Sequence, residues 1–320
     1  MHAYDYFKPT SIKGALDLKG DLGDGAVFVA GGTDVMVLMH HRKLAPKALI
    51  SLRNVGEICG ITDGRIGSGT THREIQKSDY VRTKLSALHD AVCNLGSVQI
   101  RNVATVGGNI CTAAPSADTA CPLLVLDAKV VMVGPMGERM RPLDDFFLGP
   151  NQVALKPGEL VKEFQIPDFG RTTGSAYIKH TRRAAMDLPI IGVAVRITLD
   201  RPDVRCRDAL CPMEPASKIL ALFAEEDLRC QDVRIAMGVV APRPMRAKKA
   251  EAALSGKVIS DALVAEVAEI AASEASPRDS MRGEAWYRSE MIKVLVKRAI
   301  IKAIDRVVRP DETVYPDRLW

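Results

Sequence analysis

The chain has 320 residues, 47% of them hydrophobic and 26% charged, enough to bury a sizeable core in two or three domains. Its formal net charge is only +5, and basic residues near the C-terminus alternate with apolar ones (KVLVKRAIIKAIDR), as on a solvated helix face, so nucleic-acid binding is not expected. No segment approaches the roughly 18 to 20 apolar residues of a membrane span, and the start MHAYDYFKPTS lacks an apolar secretory region, so a cytoplasmic protein without membrane insertion is expected.

In chain order, AYDYF reads as a strand and is followed by a helix capped at Thr10 or Ser11. VFVA is a second strand, Gly31 and Gly32 make a turn, and a helix runs from Met36 to Arg42. ALISL closes this βα block as a buried strand. Asp63-Gly64, between ICGIT and RIGSG, predicts a hairpin with a type I′ turn. A long helix is expected from Ser78 to Cys93, carrying Val81, Leu85, Leu88 and Val92 on one stripe and stopped by Gly96.

From Val98 to Thr112 the β-branched, glycine-rich pattern reads as strand, after which Pro115 and Ser116 open the short apolar helix ADTACPLLVLDA. KVVMVGPMGERM and LVKEFQIP read as hairpin-like stretches, and the Gly- and Pro-containing PDFGRTTGS as a domain boundary. Beyond it lie three strands, SAYIKHT, IIGVAVRITL and VRIAMGVV, and then helices over 245–254, 260–274 and 284–308. This predicts a small antiparallel sheet covered by helices on one face.

Two loops carry the chemistry. AGGTD, at Ala30 to Asp34, follows an apolar strand and opens a helix, where backbone N–H groups and the helix dipole can face a phosphate. TVGGN, at Thr105 to Asn109, runs into ICTAAPSAD, whose Thr112, Ser116 and Asp118 add side-chain contacts for an anion or a ribityl chain. Taken singly, glycines that merely make a turn explain either loop equally well. Neither is a GxGxxG fingerprint.

VAGGTDVMVLM, IRNVATVGGNICTAAPSADTACPLLVLDA, YIKHTRRAAMDLPIIGVAV, VRIAMGVVAPRPMRAKKAEAAL and the C-terminal YR and LVKRAI occur in that order. Together they resemble the FAD-binding (medium) subunits of molybdenum hydroxylases, the group of xanthine, carbon monoxide and nicotinate dehydrogenases. The resemblance implies an α+β class, with a FAD-binding fold of the vanillyl-alcohol-oxidase type followed by a C-terminal antiparallel-sheet-plus-helices domain. The domains expected are a βα subdomain over 1–54, an α+β subdomain over 55–170, and a C-terminal domain over 171–308 with an insertion at 208–231. A tail spans 309–320.

By position, the resemblance places the diphosphate of FAD on Val29, Ala30, Gly31, Gly32, Thr33, Asp34 and Val35, and on Thr105, Gly107, Gly108 and Asn109. Thr112, Ser116 and Asp118 continue along the diphosphate and ribityl side, and Lys179, Asp187 and Leu188 lie beside the isoalloxazine ring. The implied role is electron relay in a cytoplasmic heterotrimer, paired as a dimer of heterotrimers. A large subunit holds molybdenum-pterin, a small subunit holds two two-iron clusters, and FAD in this chain passes electrons to NAD or another acceptor. No residue of this chain is then catalytic toward the primary substrate, and none binds metal.

Relatives that hold a four-iron cluster carry a cysteine-containing insertion after GGN, which this chain lacks. The seven cysteines, Cys59, Cys93, Cys111, Cys121, Cys206, Cys211 and Cys230, form no CxxC pair, and their odd number argues against a disulfide framework. Cys206, Cys211 and Cys230 are expected in the surface lobe of the insertion. The tail DETVYPDRLW is expected to fray. One rival reading is a self-contained flavin oxidase or reductase using His72, His89 or His180; another is a flavin-free scaffold.

Overall fold

A computed structural model describes residues 3–202, 220 and 224–309. Its Cα atoms cluster into two compact units. One comprises Met1–Ser78, Leu95–Ala114 and Asp127–Pro167; the other comprises Asp79–Asn94, Pro115–Leu126 and Asp168–Trp320.

The first unit opens with β1 (Asp5–Phe7), α1 (Ile12–Leu22), β2 (Ala26–Val29), α2 (Val35–His40) and β3 (Ala48–Ser51). Ser11 starts α1 as expected, its hydroxyl accepting from Gly14 N–H. The strands form a parallel sheet in the order β1-β3-β2, and Ile12, Ala15, Ala26, Ala48 and Ile50 pack into its core.

A second, antiparallel sheet has the order β4-β5-β10-β6-β7, from β4 (Ile61–Thr62), β5 (Arg65–Gly67), β6 (Lys129–Gly134), β7 (Gly137–Pro142) and β10 (Leu160–Gln165). Between β7 and β10, β8 (Phe147–Gly149) and β9 (Gln152–Val153) make a two-stranded ribbon. The Asp63-Gly64 hairpin is present. Only Gly64 has positive φ, however, so the turn is not type I′. LVKEFQIP makes a single strand, β10, which pairs with both β5 and β6.

Helix α3 (His72–Lys77) precedes α4 (Asp79–Lys84) and α5 (Ser86–Cys93). The long helix expected over 78–93 is thus two helices, broken where Leu85 leaves helical geometry at φ −123° and ψ 46°. The segment read as strand is helical: α6 (Val98–Val103) and α7 (Val106–Thr112). Ser97 and Thr105 each place a hydroxyl on the N–H three residues on, Ile100 and Gly108, and these caps set two short helices where β-branched content suggested extended chain. Helix α8 (Ala120–Val125) begins later than expected, so Ser116 and Asp118 lie in the turn before it.

In the second unit, β11 (Thr173–His180), β12 (Ile191–Leu199), β13 (Cys230–Gly238) and β14 (Met245–Arg246) form the antiparallel sheet, in that order. Met245–Arg246 is strand, and the helices that follow are α9 (Lys248–Leu254), α10 (Asp261–Glu274) and α11 (Ala285–Val308). Ala176, Ile178, Val193, Val195 and Ile197 share a core with Ala299, Ile300, Ala303 and Ile304 of α11.

Helices cover both faces of this sheet, not one. Because side chains alternate along β11, Ser175 points away from that core, where its carbonyl accepts from Ser86 Oγ at 2.6 Å and its hydroxyl from Ala87 N–H at 3.1 Å, both on α5. Cys230 is buried in β13 rather than in a surface lobe. Cys206, Cys211, most of the expected insertion and the tail after Arg309 lie outside the described residues. No described helix is long and apolar enough to cross a membrane.

One carboxylate ties α5, β11 and α11 together. Asp90 takes both Nη atoms of Arg306 at 2.7 Å, Lys302 Nζ at 3.3 Å and the Tyr177 N–H at 2.9 Å. Burial alone raises its pKa, but the Arg306 and Lys302 charges and the hydrogen bonds outweigh it and hold the carboxyl at about 2, against 3.8. The ionised carboxylate therefore stabilises the fold above pH 3.8, and that stability is lost as pH falls through about 2. Asp90→Asn leaves two cations facing no carboxylate there and is expected to cost ~3–5 kcal/mol near neutral pH. Urea unfolding checks the loss, and a shallower acid dependence of the midpoint in the variant checks the titration.

Candidate functional site

The two glycine loops meet within the first unit. A Cβ on Gly31 would stand 2.1 Å from Val103 O and 2.8 Å from Ala104 Cα, so only glycine lets the first loop rest on the chain that enters the second. The second loop is pinned by the segment 68–72: Gly107 N–H donates to Ser68 O at 2.8 Å, Val106 N–H to Thr70 O at 3.1 Å, and His72 N–H to Ala104 O at 3.0 Å. Thr112 Oγ lies 2.9 Å from both Asp34 Oδ2 and Gly108 O, and so links α7 to the first loop.

The loops differ in what they offer an anion. Between β2 and α2, the N–H groups of Gly31, Gly32, Thr33, Asp34 and Val35 donate to no acceptor among the described residues. Such a row of amides at a helix start, with Gly32 at φ +77°, is an anion-binding concavity. In the second loop the amides of Val106, Gly107, Gly108 and Asn109 all have acceptors within the protein. Its glycines serve packing: a Cβ on Gly107 would fall 2.5 Å from Ser68 Cβ.

The expected residues of the second unit form a separate constellation. Asp118 Oδ2 accepts from Lys179 Nζ at 2.9 Å, and the two side chains are only 7% and 5% exposed. Lys179 also donates to Asn94 O at 3.0 Å. Tyr177, which sequence reasoning passed over, donates its hydroxyl to Asp118 Oδ1 at 2.9 Å. Its signal was positional, since Tyr177 and Lys179 stand two apart on β11 and so share a face. Burial pushes the Asp118 carboxyl up despite the Lys179 charge and the Lys179 and Tyr177 hydrogen bonds, and it raises the Tyr177 phenol well above 10.0. Ser116 is half-buried in its turn. Asp187 Oδ1 caps the Leu188 N–H at 3.0 Å beside Arg183, after Met186 at φ +53°, and leaves Leu188 46% exposed.

The three histidines considered for acid-base work sit in different settings. His72 is fully buried, and burial, aided by the Arg101 charge, lowers its pKa to about 4. His89 is 3.7 Å from Cys93 Sγ, and His180 Nε2 is 2.9 Å from Tyr287 OH.

Comparison with known proteins agrees with this arrangement. The family described as the FAD binding domain in molybdopterin dehydrogenase matches residues 2–169, and the CO dehydrogenase flavoprotein C-terminal domain matches residues 176–303. The chain is 32% identical over 305 residues to the xanthine dehydrogenase FAD-binding subunit of Escherichia coli O157:H7, covering 93% of this chain and 95% of that one. It is 29% identical to the carbon monoxide dehydrogenase medium chain of Hydrogenophaga pseudoflava, covering 93% and 96%. Among solved structures, a carbon monoxide dehydrogenase from Hydrogenophaga pseudoflava aligns with a TM-score of 0.83 at 30% identity, covering 95% of this chain and 98% of that one. These likenesses bear out the α+β FAD-binding fold followed by a sheet-and-helix domain.

The loop contact is open to a stability test. Gly31→Ala must push Val103 away and is expected to cost about 2 kcal/mol. Gly20→Ala, in α1 with nothing within 4 Å of the new methyl, is expected to gain about 0.5–1 kcal/mol. Equal midpoints for the two variants in thermal or urea unfolding would contradict the close approach.

Proposed function

The chain belongs to the family of FAD-binding domains in molybdopterin dehydrogenases, and from that premise we propose that it is the FAD-binding electron-transfer subunit of a multi-subunit molybdenum hydroxylase. The observation that carries the reading is the row of five open amides from Gly31 to Val35 beside the second glycine loop. Those donors suit the phosphate oxygens of FAD, which when bound supplies a ring that takes electrons singly and hands them on in pairs.

In this proposal Val29 to Val35 hold the diphosphate. Thr105, Gly107, Gly108 and Asn109 support it from the second loop, and Thr112 locks the two loops together through Asp34. The structure sharpens their division of labour: amides of the first loop bind, while those of the second are spent on holding its own backbone in place. Ser116, Asp118, Lys179, Asp187 and Leu188 of the second unit serve the ribityl and ring end. Asp118 acts through Lys179, whose ammonium has two acceptors for three protons. Lys179 thereby offers one proton and a positive charge toward an electron-rich ring.

The partners proposed are a large molybdenum-pterin subunit, where the primary substrate is oxidised, and a small subunit with two two-iron clusters, in a dimer of heterotrimers in the cytoplasm. NAD is the proposed acceptor, with another soluble carrier as its substitute. The named relatives support the multi-subunit setting, being a medium chain of carbon monoxide dehydrogenase and a FAD-binding subunit of xanthine dehydrogenase.

Native purification tests the reading. A yellow protein releasing stoichiometric FAD, with molybdenum and iron in co-purifying larger and smaller subunits, is the expected result; a colourless chain that takes up no FAD overturns it. Thr112→Val, which deletes the hydroxyl between Asp34 and Gly108, is expected to weaken FAD binding about tenfold while changing fold stability by about 1 kcal/mol. Flavin titration against unfolding separates the two effects.

A further inference from the structure

A second cluster of charge lies wholly within the second unit and uses none of the residues proposed for the flavin. One cavity there is lined by Arg82 and Lys84 of α4, His89 of α5, Arg196 of β12, and Arg306 and Arg309 at the end of α11. Its volume is about 60 Å³, several times the ~10–15 Å³ that a single water needs. No Asp or Glu is among its described lining residues. Low-dielectric walls around cations of one sign concentrate a positive potential.

The carboxylates stand behind these cations and orient them. Asp90 grips Arg306 through both Nη atoms, Asp232 accepts from Arg196 Nη2 at 2.8 Å, and Asp305 accepts from Arg309 Nε at 2.8 Å. Arg196 is further held over the Phe169 ring, 4.6 Å from its centroid. Its side chain and that of Arg309 are 4% and 5% exposed, so the groups are fixed before any ligand arrives. Lys84 is exposed and forms no ion pair among the described residues. The first turn of the eight-residue α5, whose N-cap Leu85 offers no side-chain acceptor, adds its positive end through Ser86.

A planar carboxylate is satisfied by one guanidinium fork. Here the donors come from four elements and converge from several directions, which suits a tetrahedral anion with an oxygen for each. We propose that this cavity binds a phosphate-sized oxyanion, either inorganic phosphate or the terminal phosphate of a nucleotide.

Calorimetric titration of the full chain with potassium phosphate, at ionic strength held constant with chloride, tests this; ADP is titrated in a second arm. Saturable phosphate binding is expected, weakened about tenfold in Lys84→Gln and further in the Arg82→Gln/Lys84→Gln double variant. Both positions are on the surface, and the unfolding midpoint and flavin content of the variants should match the parent. If ADP competes with phosphate and binds more tightly, the group recognised is a nucleotide's phosphate; if ADP fails to compete, it is the free anion. Absence of saturable binding in both arms overturns the proposal, as does phosphate binding that the double variant leaves unchanged. Because flavin content is read separately, failure here leaves the cofactor reading standing, and the reverse also holds.

Discussion

The architecture of the candidate cofactor site depends on one steric allowance, the missing side chain of Gly31. Any Cβ there would occupy the space of Val103 O. Without that approach the loop between β2 and α2 could not rest against the chain entering α7, and Thr112 could not reach Asp34. The contact also explains why the first loop keeps its amides free. Its turn is stabilised by packing against the neighbouring backbone, so its N–H groups are not needed to hold its own shape. The second loop has the opposite economy, with its amides committed to Ser68, Thr70 and Thr105. One glycine pair therefore presents donors, and the other provides the rigid surface against which they are presented.

The second unit is organised by alternation along β11. Ala176 and Ile178 point into the apolar core shared with α11, while Ser175, Tyr177 and Lys179 point the other way, toward α5 and the turn before α8. That polar face is nearly dry, so each charge on it needs a partner. Asp118 answers Lys179 and Tyr177, and Asp90, bonded to the β11 backbone, answers Arg306 and Lys302. Buried ion pairs of this kind add less to net stability than their number suggests. They do fix geometry, and a fixed cation is what a redox ring and an oxyanion cavity both require.

Much of this was legible in the sequence where local signals agreed. Ser11 capped α1, the strand-helix-strand rhythm of the first fifty residues became a parallel sheet, and the apolar stripes after Ser260 and Glu284 became α10 and α11. The reading failed between Val98 and Thr112, where β-branched residues and glycines suggested extended chain but the hydroxyls of Ser97 and Thr105 capped short helices. It also failed for Cys230, which looked like part of a lobe and proved to be the first residue of β13. Propensity is a weak guide in segments of six or seven residues, because tertiary contacts decide which hydrogen bonds are made.

What the sequence determined by itself was composition and order: an α+β chain carrying two glycine loops, a lysine on a strand and a helical C-terminus, in an arrangement that identifies the family. What only the tertiary structure decided was which of those residues stay available. The open amides of Gly31 to Val35, the pairing of Lys179 with Asp118 through Tyr177, and the convergence of Arg82, Arg196 and Arg306 on one cavity join positions distant in the chain. Hydrogen-bond satisfaction and charge pairing are properties of neighbours in space, and in this fold the neighbours that matter come from separate stretches of sequence.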